Sequence, residues 1–410
     1  MSSEKELQIP FSGTVLGNPP KVPIKHKKRK RKNKKHTKMN DVCPCSTYAA
    51  LDLKDDLVLD EEQEDKHEYK KGGYHRVKIG DVFKKRYKVI KKLGWGNFST
   101  VWLCDDLMKP DCQIALKIVK SASNHTEAAL DEIKLLRKIS YMDTLCSMPV
   151  VHMLDNFTHR GPHGNHVCLV FEVLGKNLLS LIRVYDKGLP ISVVKIITKQ
   201  LLVGLDFLHS KCKIIHTDLK PENILLQNSF ISTLEFINIQ NDNEFSLIDV
   251  PEELKVKIAD FGNACWVDKH FTNDIQTRQY RAPEAIFKRK FDAKADIWSL
   301  GCIVFELATG DVLFDPERSR EFTKTEDHLL RIMELLGKKI PENMIPKNKF
   351  SKEFMKEKID YWGLDQVLIQ KYKWDVVEAE KFAEFLLLML ELRMEDRVSA
   401  RVALKNIWLE

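Results

Sequence analysis

The string His216-Thr217-Asp218-Leu219-Lys220-Pro221-Glu222-Asn223 constrains this chain more than any other feature. Within eight residues it sets a carboxylate at Asp218, an ammonium at Lys220 and a carboxamide at Asn223, with Pro221 stiffening the backbone between them. Transfer of a phosphoryl group asks for little covalent help. It asks for a carboxylate that orients the attacking hydroxyl and takes its proton, for positive charge near the moving group, and for oxygen ligands to a hard cation. Asp218, Lys220 and Asn223 carry those parts in order, and packing alone calls for no such string.

Other segments add the parts this one lacks. Leu93-Gly94-Trp95-Gly96-Asn97-Phe98-Ser99-Thr100-Val101 fits a glycine-rich turn whose bare backbone can lie close to phosphate oxygens, with Ser99 where a third glycine is usual. A strand rather than a helix follows it, which excludes the dinucleotide-binding reading. Ala115-Leu116-Lys117 lies 23 residues after Gly94 and sets a lysine on a strand, within reach of the α- and β-phosphates. Glu132, on the next helix, is its partner. Asp260-Phe261-Gly262 follows the short apolar run 256–259, and Asp260 is a ligand for the Mg²⁺ that bridges phosphates. Ala282-Pro283-Glu284 closes the segment that Asp260 opens. Each tripeptide alone is common; their order and spacing are not.

The 410 residues suffice for a two-lobed enzyme with a tail. The net charge of +7 is uneven: residues 25–38 hold ten Lys or Arg and no acid, and without them the rest carries −3. Residues 52–65 reverse the sign. The tail, residues 1–73, reads as disordered, with order beginning near Tyr74. Nine cysteines without regular spacing argue for a reducing compartment, and Cys43-Pro44-Cys45 is too isolated for a zinc site. No signal core opens the chain and no apolar run is long enough to span a bilayer.

Strands are expected at 87–93, 100–103, 114–119 and 167–171. Helices are expected at 127–139 (apolar stripe Leu130, Ile133, Leu136, Ile139), 194–209, 296–309, 327–336 and 381–392. Residues 227–255 read as an inserted loop. A sheet-rich first third before a helical remainder predicts an α+β fold of two unlike lobes around a cleft.

On these motifs the chain resembles the eukaryotic protein kinases over residues 87–408. Within them it is similar to the SR protein kinases, which act on arginine-serine-rich splicing factors. The strings that carry this are Lys71-Gly72-Gly73-Tyr74-His75, Lys78-Ile79-Gly80-Asp81, the glycine-rich turn continued through Trp102-Leu103, Thr126-Glu127-Ala128-Ala129, Val170-Phe171-Glu172-Val173-Leu174-Gly175 and Gly262-Asn263-Ala264-Cys265-Trp266. The resemblance implies an ATP site between the lobes, with Mg²⁺, a hinge at Glu172-Val173-Leu174, and Leu225 in the nucleotide pocket. It also implies that Glu284 pairs with Arg397, that Asp296 braces the catalytic loop, and that the enzyme is a monomer. Three features depart from the group: a spacer reduced to residues 227–255, Phe261 where Leu is frequent, and an end at Glu410 without the usual C-terminal extension.

Thr217 stands where many kinases carry an arginine that pairs with an activation-loop phosphate, so activity without that phosphate is expected. The alternative is an arginine elsewhere doing the same job. Cationic Arg-Ser substrates need carboxylates, and Glu317, Glu321, Glu326 and Asp327 cluster at the start of a helix. They read as a docking groove, or as a solvated helix N-terminus where acids are favoured anyway. The string Gln276-Thr277-Arg278-Gln279-Tyr280-Arg281 reads as the floor under the residue after the target serine.

The block 25–38 has three readings: a nuclear import signal engaging an import receptor, a surface for RNA or phosphate, or a solvated tail. It lacks interleaved aromatics, so specific nucleic-acid reading is not expected. The expected locations are cytoplasm and nucleus. Competing functions are a dual-specificity kinase of the related RS-directed group and a pseudokinase scaffold; the second requires a lost catalytic residue, and none is lost.

Overall fold

A computed structural model describes residues 64–185, 187–227, 254–341 and 359–410, with residues 344, 345, 350, 354 and 357. The basic block, most of the acidic block and residues 228–253 of the inserted loop lie outside the described residues.

The first lobe is a six-stranded antiparallel sheet in the order β1-β2-β3-β4-β6-β5. Its strands are β1 (Val82–Phe83), β2 (Tyr87–Gly96), β3 (Ser99–Asp106), β4 (Gln113–Val119), β5 (Met153–Gly161) and β6 (Gly164–Phe171). β5, rich in polar residues, was not expected from its sequence. Alternation sorts the side chains by face. Trp102, Cys104, Ile114, Leu116, Ile118, Cys168 and Val170 form one layer with Phe83, Tyr87 and Val89. Val101, opposite Lys117, and Leu103, opposite Ala115, point to the other face. The loop Asn97-Phe98 joins Gly96 to Ser99 across β2 and β3.

Helix α1 (Ser123–Met142) links β4 to β5 and buries Ala129, Ile133, Leu135, Leu136 and Ile139. Leu130, expected in the apolar stripe, is 47% exposed. Three- and four-residue spacings admit a neighbouring face as readily as the buried one, and Leu135 takes the place instead.

The second lobe contains α2 (Leu178–Ile182), α3 (Ile191–Asp206), α4 (Pro283–Ile286), α5 (Lys294–Thr309), α6 (Lys324–Leu336), α7 (Leu364–Gln370), α8 (Val376–Met389) and α9 (Ala400–Ala403). A π turn over Phe207–Cys212 continues α3. Helix α5 is buried on every side from Ala295 to Thr309 and serves as the lobe's pillar. Gly310, in the left-handed region, ends it and returns its N–H to the Glu306 carbonyl. Two small antiparallel pairs stand at the cleft: β7 (Ile214–Ile215) with β10 (Cys265–Trp266), and β8 (Ile224–Leu226) with β9 (Val256–Ile258). One apolar core runs from α1 and β6 through α3, β9 and α5 to α8, joining the two lobes.

The packed part reaches back beyond the expected start at Tyr74. Glu64, the penultimate residue of the acidic block, is buried and pairs with Lys92 of β2 and with Tyr69. Among the described residues no helix is long and apolar enough to cross a membrane, and their seven cysteines are free thiols.

Candidate active site

The loop after β7 is held by a carboxylate from the pillar helix. Asp296, fully buried, accepts the backbone N–H of His216 at 2.8 Å and of Thr217 at 2.9 Å, and its Oδ2 lies 2.8 Å from the His209 ring. Thr217 consequently sits at φ 61°, a left-handed conformation that costs a β-branched residue about 1–3 kcal/mol. Its carbonyl accepts Gln276 N–H at 2.8 Å, and its hydroxyl donates to the Asn263 carbonyl at 2.6 Å. The bend delivers Asp218 to the cleft.

Three side chains then fix the Asp218 carboxylate. The Thr277 hydroxyl donates to Oδ1 at 2.7 Å; Oδ2 takes the Lys220 ammonium and, more loosely, Asn263 Nδ2 at 3.4 Å. Lys220 also donates to the Thr277 hydroxyl at 2.7 Å. Asn223 donates its Nδ2 to the Asp218 carbonyl at 2.8 Å, which leaves Oδ1 as the free face of its amide.

On the sheet side, Lys117 is bound by both Glu132 oxygens at 2.6 Å, the pairing expected of them. Asp260 adopts φ 67°, ψ 77° just after β9. A Cβ at Gly262 would lie 3.3 Å from Asp260 Oδ1 and 3.8 Å from Glu132 Oε2. The glycine therefore lets the two carboxylates border one space. Asn223 Oδ1 and the Asp260 carboxylate are hard oxygen donors of the kind Mg²⁺ takes. Lys117 and the backbone of the Gly94–Gly96 turn supply cation and amide donors for phosphates. These residues fit Mg²⁺ and a nucleoside triphosphate; when bound, the pair brings the transferable phosphoryl group and the charge that offsets its oxygens.

Most expected nucleotide-site residues gather here. Leu93, Gly94, Trp95 and Gly96 end β2, Ser99 and Val101 start β3, and Ala115 lies opposite Leu103 beside Phe171. Leu174 and Leu225 are half-buried on the joint core. Asn97 and Phe98 form the exposed tip of the turn.

Four expectations change. Thr100 faces the other side of the sheet, opposite Ile118, where its hydroxyl accepts the Trp102 indole N–H at 3.1 Å; the two-residue period of a strand separates it from Val101. Glu172 spends its carboxylate on Lys257, at 2.6 and 2.8 Å, and on His152 N–H at 3.3 Å, so only its backbone can serve a hinge. Burial, then the Lys257 charge, holds the His152 imidazole below its usual range.

Glu326 and Asp327 also leave the expected docking groove. Glu326 is buried in a capping box, accepting the Thr323 N–H at 2.9 Å while the Thr323 hydroxyl accepts its own at 3.2 Å. Asp327 accepts Glu317 N–H and Arg331 Nε, both at 2.8 Å. The helix N-terminus claims Glu326 through the N-cap Thr323, while Asp327 ties the preceding loop to the next turn of the helix. Glu317 and Glu321 remain exposed, with Arg318 and Arg320 between them.

Glu284 and Arg397 meet as expected, at 2.7 and 3.0 Å. Sequence reasoning missed the central part played by Gln276. Its buried side chain donates to the Ala295 carbonyl at 2.8 Å and to Ser299 Oγ at 2.9 Å, and accepts Ala282 N–H at 3.0 Å. Its own carbonyl accepts two N–H groups of Arg281. A neutral amide thus clasps the segment between Asp260 and Glu284 to α5. Thr277 and Asn263 were likewise not expected at Asp218, since only the fold brings residues 45 and 59 positions away onto one carboxylate.

The protein kinase domain model matches residues 87–409. The chain is 46% identical to Serine/threonine-protein kinase SRPK of Physarum polycephalum, over 86% of this chain and 92% of that protein. It is 35% identical to SRSF protein kinase 3 of Homo sapiens, over 85% and 91%, and 37% identical to Protein kinase dsk1 of Schizosaccharomyces pombe, over 85% of each. The human alignment extends over 518 positions, more than this whole chain. That relative therefore carries residues without a counterpart here.

Proposed function

The chain belongs to the protein kinase family and, within it, to the SR protein kinases, and from that premise we propose that it moves the γ-phosphate of ATP to serines of arginine-serine-rich splicing proteins. The observation that carries the chemistry is the Asp218 carboxylate held by Thr277, Lys220 and Asn263. Asp218 orients the substrate hydroxyl and takes its proton. Lys220 neutralises charge that develops on the transferred group. Asn223 and Asp260 would hold Mg²⁺, and Lys117, fixed by Glu132, would hold the phosphates. The names of the relatives support the choice of substrate.

The segment from Asp260 to Glu284 is held by the Gln276 amide, the Thr217 hydroxyl and the Arg281 guanidinium, which donates to the Gln276 carbonyl and pairs with Asp274 of the same segment at 3.4 Å. This supports an enzyme that works without a phosphate on that segment. Gln279, whose Nε2 donates to Asp315 at 3.0 Å, supports a floor that favours a polar or basic neighbour over proline. Glu317 and Glu321 are the carboxylates left to meet cationic substrate, and residues 25–38 the segment left to engage an import receptor.

The test of substrate class is a steady-state comparison of an Arg-Ser repeat peptide with a Ser-Pro peptide of equal length. The proposal expects kcat/KM for the repeat to be higher by about tenfold or more, a difference of about 1.4 kcal/mol in transition-state binding. Equal values, or a preference for Ser-Pro, would keep the kinase and discard the substrate class.

A further inference from the structure

The second lobe carries a cavity of about 200 Å³ that shares no residue with the catalytic cleft. Ile191 and Lys195 of α3, Trp374 just before α8, Glu378 and Lys381 of α8, and Trp408 line it. Its floor is aromatic. Trp374 stacks on Phe382 with ring centroids 5.2 Å apart, and Trp408 stacks on Phe385 at 4.7 Å. Phe382 and Phe385 are fully buried, so both indoles are held from behind, while Trp374 keeps part of its surface open. A cavity of about 150 Å³ already accepts a benzene ring, so this one has room for a phenyl side chain.

Cations stand at the rim. Lys195 lies 5.5 Å over the Trp408 ring. Lys381 is exposed on α8, and Lys199, also exposed, follows Lys195 by one turn of α3. Glu378 is the acid among them, so three lysines against one glutamate leave a net +2.

The chain supplies a complement close by. Residues 228–253 hold Glu235, Asp242, Glu244, Asp249, Glu252 and Glu253 and no Lys, Arg or His, a charge of −6, together with Phe230, Phe236 and Phe245. Gln227 N–H donates to the Lys255 carbonyl at 2.8 Å and closes the neck of this segment. Gln200 of α3 fastens its return: Nε2 donates to the Leu254 carbonyl at 2.8 Å, and Oε1 accepts Val256 N–H at 3.0 Å. Gln200 directly follows Lys199 and stands about 7.5 Å of helix rise from Lys195. The residues from Phe245 to Leu254 can span up to about 30 Å, ample for that distance.

We propose that the Trp374–Trp408 cavity is the docking site of this chain's own segment 228–253, which lays a phenylalanine against the indoles and sets its acids against Lys195, Lys199 and Lys381. The tether favours this occupant over a separate partner, because a short linker holds a ligand at an effective concentration of about millimolar. The opposite charges of segment and rim add to the encounter.

The test places the photo-crosslinking residue p-benzoylphenylalanine at the exposed Glu378 of the full chain and maps the product by mass spectrometry. Capture of a residue from 228–253 of the same chain is expected. Phe230→Ser/Phe236→Ser/Phe245→Ser and, separately, Lys195→Glu/Lys199→Glu each lower that capture by about threefold or more. Thermal melts verify that both variants fold, and the phenylalanine variant serves if the lysine variant does not. The proposal is overturned if the probe captures a second chain, whether another copy or a co-purified protein, if it captures only residues outside 228–253 or nothing, or if the phenylalanine variant is captured as efficiently as the unaltered segment.

Discussion

Asp218→Asn leaves the fold intact and lowers kcat for phosphate transfer by about 10²–10⁴-fold. The carboxamide keeps the shape of the carboxylate, and one arm can still accept the Thr277 hydroxyl. The other arm then presents N–H groups or a weak acceptor to the Lys220 ammonium, and neither arm takes a proton from a serine hydroxyl. Lys117, Asn223 and Asp260 are untouched, so KM for ATP should move little. Steady-state assays with Mg²⁺-ATP and an Arg-Ser peptide measure both constants. A loss below tenfold would place proton acceptance elsewhere.

The second large effect is on stability. Glu284→Ala is expected to destabilise the chain by about 3–5 kcal/mol, because it strands a buried guanidinium. Arg397 is 1% exposed and has no route to water. It now gives two bonds to Glu284, one to the Lys294 carbonyl and two to the Glu391 carbonyl, and its guanidinium stacks 5.2 Å over Trp298. The pair joins the end of the activation segment to the loop after α8, so activity should fall with stability. Chemical denaturation, comparing midpoints of Glu284→Ala and wild type, measures the loss. A change under about 1 kcal/mol would mean that water or another acid replaces Glu284.

These effects concern residues that the sequence declared openly. Asp218, Asn223, Asp260 and Lys117 were legible because phosphoryl transfer restricts both the residue types and their order. The strands and helices that present them were legible from periodicity, although β5 was hidden by its polar residues and Leu130 was assigned to the wrong face of α1. What escaped reading was the tertiary pairing of residues outside those motifs. Gln276 lies in a segment with no periodicity, and a lone glutamine carries no mark of the three buried partners it will find. Glu64 looked like one more charge in an acidic run, yet its partner Lys92 lies 28 residues away. Glu326 looked like part of a docking cluster, although the Thr-x-x-Glu pattern 323–326 already announced a capping box. Thr100 was included by motif position, where strand alternation alone would have turned it to the opposite face.

The proposed function is that the Asp218 geometry, with its activation segment clasped by Gln276, acts on Arg-Ser serines without needing a phosphate on that segment. The most direct measurement is transfer of labelled γ-phosphate to an Arg-Ser repeat by the full chain after phosphatase treatment and removal of the phosphatase. Phosphoserine is expected on the repeat at the rate of the untreated enzyme from the first time point. A rate that collapses after treatment and returns only as the enzyme relabels itself, or label that never reaches the repeat, would contradict it.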